Sequence, residues 1–204
     1  IVPKADAFAI KTQDDFINLH GIILAVAKRG TGKSVALGNI LRMMKLNNAL
    51  DILFIISPTL HNNRGNFEGL EIDENLVFEP EVDTAAIIME MIEDLGKEYD
   101  QYHTDIEKWK QLQTEIRSQR AIHDIDENLL LYFENMEKPK YRFMKNGQAY
   151  KPSIGILIDD CMGSKFFSPR SRFPNMCTTH RHLGKTIHGS LGCTILMAVQ
   201  SYKS

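Results

Sequence analysis

Cysteine, long apolar runs and net charge are all scarce in this 204-residue sequence, and each scarcity excludes something. Cys161, Cys177 and Cys193 cannot all pair with one another, so no disulfide framework is expected and the setting reads as a reducing, cytosol-like compartment. No uninterrupted apolar stretch approaches the roughly 20 residues that a membrane-spanning helix needs. The N-terminus lacks the basic, apolar, small-residue order of a secretory signal. There is no internal repeat and no low-complexity run. The set Cys177, His180, His182, His188 and Cys193 lacks the paired C-x₂-C or H-x₃₋₅-H arms of common zinc sites, and Cys193 falls in a buried-strand run. No Ser/His/Asp or Cys/His nucleophile arrangement can be argued.

What is present is enough for a sizeable core: 43% of residues are hydrophobic and 25% are charged. The net charge of −2 hides an uneven distribution. From residue 141 onward, Arg142, Lys145, Lys151, Lys165, Arg170, Arg172, Arg181, Lys185 and Lys203 face only Asp159 and Asp160, a local excess of seven. Residues 81–137 are instead rich in Asp and Glu. A basic half on an acidic body suits a polyanionic partner; the alternative is a solvated surface whose charges spread out on folding.

Residues 21–27 (GIILAVA) form a short continuous apolar run, as expected of a strand buried on both faces. Residues 35–44 (VALGNILRMM) read as a helix, and residues 52–56 (ILFII) as a second buried strand that ends at Ser57-Pro58. Strand, helix, strand is the unit of a parallel sheet. The loop from Thr59 to Gly69 reads as mobile. Ile88, Ile92, Leu95, Tyr99, Tyr102, Ile106, Trp109, Leu112 and Ile116 then recur at steps of three or four, one face of a long helix. After a break at 118–124, Ile125, Leu129, Tyr132, Phe133 and Met136 repeat the pattern. This predicts a helical hairpin inserted at about 82–137, packed by default. Two further buried strands are expected at 154–158 (IGILI) and 193–199 (CTILMAV), with an Arg-, His- and Pro-rich stretch between them. The sequence ends at Ser204 just beyond a strand, where such a sheet would continue, so it reads as one domain shortened at its C-terminus.

The chemistry concentrates in the segment from Ala27 to Ser34, AKRGTGKS, which matches G-x-x-x-x-G-K-[ST] except for Ala27 at the first glycine. Gly30 and Gly32 let the backbone curl so that successive N–H groups point inward around phosphates. The N-terminus of the following helix adds its dipole. Lys28, Arg29, Gly30, Thr31, Gly32, Lys33, Ser34 and Val35 are the expected nucleotide-binding set. Lys33 would reach the β- and γ-phosphates of ATP, and the Ser34 hydroxyl would hold Mg²⁺.

Asp159 and Asp160 close the strand at 154–158. Asp159 is expected to hold the same Mg²⁺, and Asp160 to orient and polarise the attacking water. The alternative is that both merely end the strand and begin a turn. Gln200, at the end of the last strand, is placed to touch the γ-phosphate or that water. A positive charge for the transition state is expected from Arg181, with Arg172 and Arg170 next, or from Arg29 within the loop.

Together, AKRGTGKS, the strand end Ile158-Asp159-Asp160, and Arg181-His182-Leu183 before CTILMAVQSY resemble the poxvirus-type genome-packaging ATPases. These occur in large DNA viruses and virophages and belong to the FtsK/HerA superfamily. The resemblance runs in motif order from Gly21 to Tyr202 and leaves the long helical region unmatched. It implies an α/β P-loop NTPase of the ASCE type, with a mostly parallel sheet flanked by helices. It implies ATP and Mg²⁺ as cofactors, with Lys33 and Ser34 (Walker A) as ligands, Asp159 and Asp160 (Walker B) as metal ligand and catalytic carboxylate, Gln200 as sensor and Arg181 as the arginine acting in trans. It further implies a homo-oligomeric ring around double-stranded DNA, a capsid or portal-vertex partner, and a place in the host cytoplasm, in the viral factory or on the virion. The stretch between Gly184 and Gly192 is longer than this resemblance leads one to expect. Two rivals stand beside it: another P-loop translocase or helicase, and an ATP-dependent assembly switch.

Overall fold

The structure, a computed structural model, describes residues 19–60, 64–118, 127–133 and 137–200. Its centre is a five-stranded sheet in which every neighbouring pair is parallel. The strands are β1 (Ile22–Ala27), β2 (Ile52–Ile56), β3 (Val77–Phe78), β6 (Ile154–Ile158) and β9 (Thr194–Gln200), in the order β1-β9-β6-β2-β3. The expected strands at 52–56 and 154–158 match residue for residue; those at 21–27 and 193–199 begin one residue later, and the latter runs on to Gln200. β9 therefore lies between the strand that feeds the phosphate-loop motif and the strand that ends in Asp159-Asp160. The chain has the expected α/β P-loop fold, a parallel sheet with helices on both faces.

Strand side chains alternate between two helical layers. Ile55, Leu157, Leu196 and Ala198 face α1 (Lys33–Leu46), which buries Leu37, Leu41 and Met44 against them. Ile52, Phe54, Ile56, Ile154, Ile156, Ile158 and Ile195 face the opposite way. There they meet Ala85, Ile88, Ile92 and Leu95 of α2 (Thr84–Arg117) and Met176 of α4 (Phe173–Thr179). Burying a side chain such as Ile88 or Ile92 fully contributes roughly 1.5–3 kcal/mol, so α2 is anchored by its first three turns. Among the described residues, the second layer does not reach β1, which is therefore not buried on both faces as expected. Ile23 and Ala25 turn toward α1, while Ile22, Leu24 and Val26 on the other face are 44%, 53% and 55% exposed.

The helical stripe predicted from Ile88 to Ile116 is one 34-residue helix. It buries Ile88, Ile92, Leu95, Tyr99, Tyr102 and Leu112, but Ile116 at its distal end is 38% exposed. Of the expected second helix, α3 (Glu127–Tyr132) is short and packs through Leu129 and Phe133 on Leu112 and Trp109; Ile125 and Met136 lie outside the described residues. The loop expected to be mobile from Thr59 to Gly69 is pinned at three described residues. Leu60 and Phe67 are each 1% exposed in the α1 layer, and Arg42 Nε donates to Glu68 O at 2.7 Å. Two hairpins were not expected. One pairs β4 (Met144–Lys145) with β5 (Gln148–Ala149) through Asn146-Gly147, both at positive φ, an Asn-Gly turn that was legible in the sequence. The other pairs β7 (Lys185–Thr186) with β8 (Gly189–Ser190) and accounts for the long stretch between Gly184 and Gly192.

Three of the basic residues beyond 141 are engaged by the protein itself. Arg142 pairs with Glu98 at 2.7 Å, Lys165 with Glu81 at 3.3 Å, and Lys151 donates to His188 O at 2.7 Å. Among the described residues, no helix is long and apolar enough to cross a membrane.

Candidate functional site

The carboxyl ends of β1, β6 and β9 lie side by side, and the residues that follow or end them converge on one cavity of about 330 Å³. It is lined by Arg29, Gly30, Gly32, Lys33, Ser34, Val35, Asp159, Asp160, Ala198 and Gln200. Its first wall is the loop between β1 and α1. Gly30 (φ 76°) and Gly32 (φ 84°) both sit in the left-handed region, where a side chain is strained. Gly32 is also the N-cap of α1, and no side chain caps that end. The first N–H groups of α1 have no intrahelical acceptor, so they are directed donors at the positive end of a 14-residue helix. Thr31 Oγ1 donates to Lys28 O at 2.7 Å and Lys33 Nζ donates to Ala27 O and Lys28 O at 2.9 and 2.8 Å. These bonds close the loop into a ring around its own N–H donors. Thr31 and Lys28 thus shape the loop and do not line the cavity.

The second wall is the end of β6. Ser34 Oγ donates to Asp159 Oδ1 at 2.9 Å, which brings the first turn of α1 onto the strand end. Asp159 is only 2% exposed. Burial pushes its carboxyl above the ordinary value of 3.8; the charge of Asp160 adds to this, while the Ser34 hydrogen bond and the charge of Lys33 pull it down. Asp160 takes a left-handed backbone (φ 55°), which Asp tolerates better than most residues. That turn lets consecutive carboxylates face different partners. Asp159 meets Ser34, and Asp160 Oδ1 accepts from Gln200 Nε2 at 2.5 Å. Behind them Cys161 Sγ donates to Ile56 O and Asp159 O at 3.2 and 3.3 Å, and burial pushes that thiol up to about 12. The alternative that Asp159 and Asp160 only begin a turn does not account for the two side-chain bonds into the cavity.

Sequence reasoning missed Ala198. It lies two residues before Gln200 on the same strand face and is small enough to leave the cavity open between α1 and β9. Only the register with β1, visible in three dimensions, marks it.

Arg181 is not in this cavity. Its Nε donates to His20 O at 3.3 Å, beside the start of β1, and His20 N in turn donates to Thr194 Oγ1 at the start of β9. A six-residue strand at about 3.3 Å per residue puts roughly 20 Å between Arg181 and the cavity of its own chain. Arg170 and Arg172 do not line the cavity either; Arg29 does. The neighbouring His180 spends both ring nitrogens on the protein, with Nδ1 at 2.7 Å from Cys177 O and Nε2 at 2.9 Å from His20 O. It fixes the loop that carries Arg181.

No family model matches the chain, and no curated protein matches it. Among solved structures, it is similar to the conjugation coupling protein TcpA of pCW3 in its monomer form with ATPγS, at a TM-score of 0.40 and 20% sequence identity. The similarity covers 90% of this chain and 44% of that one, so the chain spans less than half the length of that protein.

Proposed function

We propose that this chain is an ATP-hydrolysing motor domain that moves along double-stranded DNA, of the kind that packages a viral genome. The observation that carries the ATPase reading is the convergence of Lys33, Ser34, Asp159, Asp160 and Gln200, drawn from three strand ends, on one cavity. The uncapped N–H donors of α1 and the loop would hold the β- and γ-phosphates, with Lys33 released from the carbonyls of Ala27 and Lys28 to meet them. Ser34 Oγ and Asp159 supply hard oxygen donors on adjoining elements, a set that fits Mg²⁺. Bound there, the ion would neutralise charge on the β- and γ-phosphates. Asp160 is the base that would orient the attacking water, and Gln200, bonded to its carboxylate, holds it at the correct side of the cavity. Arg29 is the cation at hand in cis; Arg181, some 20 Å away at the other end of the strands, serves only a neighbouring subunit's site.

Coupling to DNA, the homo-oligomeric ring, the capsid or portal-vertex partner and a place in the host cytoplasm or virion belong to the same proposal, and rest on the resemblance of AKRGTGKS, Ile158-Asp159-Asp160 and the Arg181 segment to poxvirus-type packaging ATPases. The test is displacement of a triplex-forming strand from a long duplex. A duplex translocase displaces it with ATP and leaves the duplex paired. Separation of the duplex strands would favour the helicase reading, and ATP-dependent assembly without turnover would favour the switch.

A further inference from the structure

Far from the nucleotide cavity, the distal half of α2 and the β4–β5 hairpin enclose a groove of about 860 Å³. Among the described residues, Lys110, Arg117 and Lys138 line it and no carboxylate does. This is unexpected for α2, where eight Asp and Glu stand against four Lys and Arg. The helix sorts them by face. The two cations turned away from the groove are engaged by the protein: Lys97 pairs with Asp94 at 2.7 Å, and Lys108 lies 3.8 Å over the ring of Tyr132. The cations turned into it are exposed and have no ion-pair partner among the described residues.

We propose that this groove is a docking surface for the phosphate backbone of double-stranded DNA. Seven residues separate Lys110 from Arg117, roughly 10 Å along the helix axis. A single small anion meets one of them; a chain of phosphates meets both and Lys138 as well. The groove's aromatic wall is already engaged by protein rings. Tyr102 stacks on Tyr141 (centroids 5.2 Å apart, 27° between planes), and Trp109 sits edge-to-face with Phe133 at 5.2 Å. These rings are therefore poor platforms for the unpaired bases on which single-strand binding depends. The cations, with the polar groups of Gln113, Gln148, Thr114 and His103 beside them, suit contacts to a backbone that do not read sequence. The assignment rests on the DNA-motor reading for its purpose, but a binding test needs no turnover and fails or succeeds separately.

The experiment is fluorescence anisotropy with a labelled 30-base-pair duplex of arbitrary sequence across a salt series. The triple variant Lys110→Gln, Arg117→Gln, Lys138→Gln is expected to bind at least tenfold more weakly at 0.1 M salt. Its slope of log K against log salt should be shallower by about 3, since each lost phosphate contact removes about 0.9. A control variant, Lys45→Gln, Lys140→Gln, Lys165→Gln, changes net charge equally at cations paired with Glu71, Glu137 and Glu81 outside the groove. It should bind like the parent. Nucleotide affinity and thermal midpoint, measured on both variants, should match the parent and confirm folding. Equal loss in both variants, an unchanged slope in the groove variant, or tighter binding of a single strand than of the duplex would each overturn the proposal. If the groove variant loses DNA binding while the parent shows no ATP hydrolysis, the docking surface stands and the motor reading falls.

Discussion

Ser34 Oγ and Asp159 Oδ1 stand 2.9 Å apart although 125 positions separate them in the chain. The bond ties the first turn of α1 to the carboxyl end of β6. If both oxygens serve one Mg²⁺, removing either should cost the same. Ser34→Ala and Asp159→Asn are each expected to abolish most of the Mg²⁺-dependent tightening of ATP binding, and the double variant should be no worse than the single ones. Titration calorimetry with ATP, with and without Mg²⁺, reads this; additive losses would mean that the two residues act on different things.

Asp160 differs from its neighbour in role. It takes no part in the Ser34 contact and bonds to Gln200 instead. Asp160→Asn should lower turnover by about 10²–10⁴-fold with ATP affinity retained, the scale of losing a general base. Gln200→Ala should lower kcat by a smaller factor and leave affinity unchanged, because Gln200 positions Asp160. Single-turnover hydrolysis beside nucleotide binding separates the two effects.

Burial gives Asp159 a pH signature. Its pKa in the folded chain is raised above 3.8, so the folded state favours the protonated form. This contribution to stability is fully present below the unfolded value and is lost as pH rises through the raised folded value. At pH 7 without Mg²⁺, Asp159→Asn should therefore melt higher than the parent, and the gap should close as pH falls toward 3.8. Adding Mg²⁺ to the nucleotide-bound protein should raise the melting point of the parent further and that of the variant little. A variant less stable than the parent at pH 7 would show that the Ser34 and Lys33 interactions outweigh burial.

Two glycines separate steric cost by what they meet. A Cβ on Gly96 would lie 2.7 Å from Lys185 O and 2.8 Å from Gly184 C, both backbone where the chain enters β7. A Cβ on Gly155 would also lie 2.7 Å from its nearest neighbour, but that atom is the tip of the Leu50 side chain. Gly96→Ala is expected to destabilise the fold by about 1–3 kcal/mol, and Gly155→Ala by less than half as much. Urea unfolding of the two variants compares them directly.

How much of this was legible in sequence depended on the range of the interaction involved. The strands at 52–56 and 154–158 were readable because a parallel strand buried on both faces is a continuous apolar run. The phosphate loop was readable because its chemistry is local, eight residues running from the end of a strand into the start of a helix. Val77–Phe78 was not, since a two-residue edge strand carries no periodicity and exists only by pairing with Ile55–Ile56. The β7–β8 hairpin is likewise held from outside. Glu93 accepts from the N–H groups of Gly184 and Lys185, and Asp100 accepts from that of Ile187. Residue order alone suggested that Gln200 belongs with Asp160; only the insertion of β9 beside β6 shows that they touch. Counting Lys and Arg by segment could not show how the helix from Thr84 to Arg117, with twice as many acids as bases, turns Lys110 and Arg117 toward one groove.

The most direct test of the account is steady-state ATP hydrolysis by the parent chain and by Lys33→Ala, each with and without long double-stranded DNA. The account predicts turnover that rises when DNA is added and is lost in the variant under both conditions. Hydrolysis that survives in Lys33→Ala, or a parent that binds ATP tightly yet never turns it over even with DNA, would contradict it.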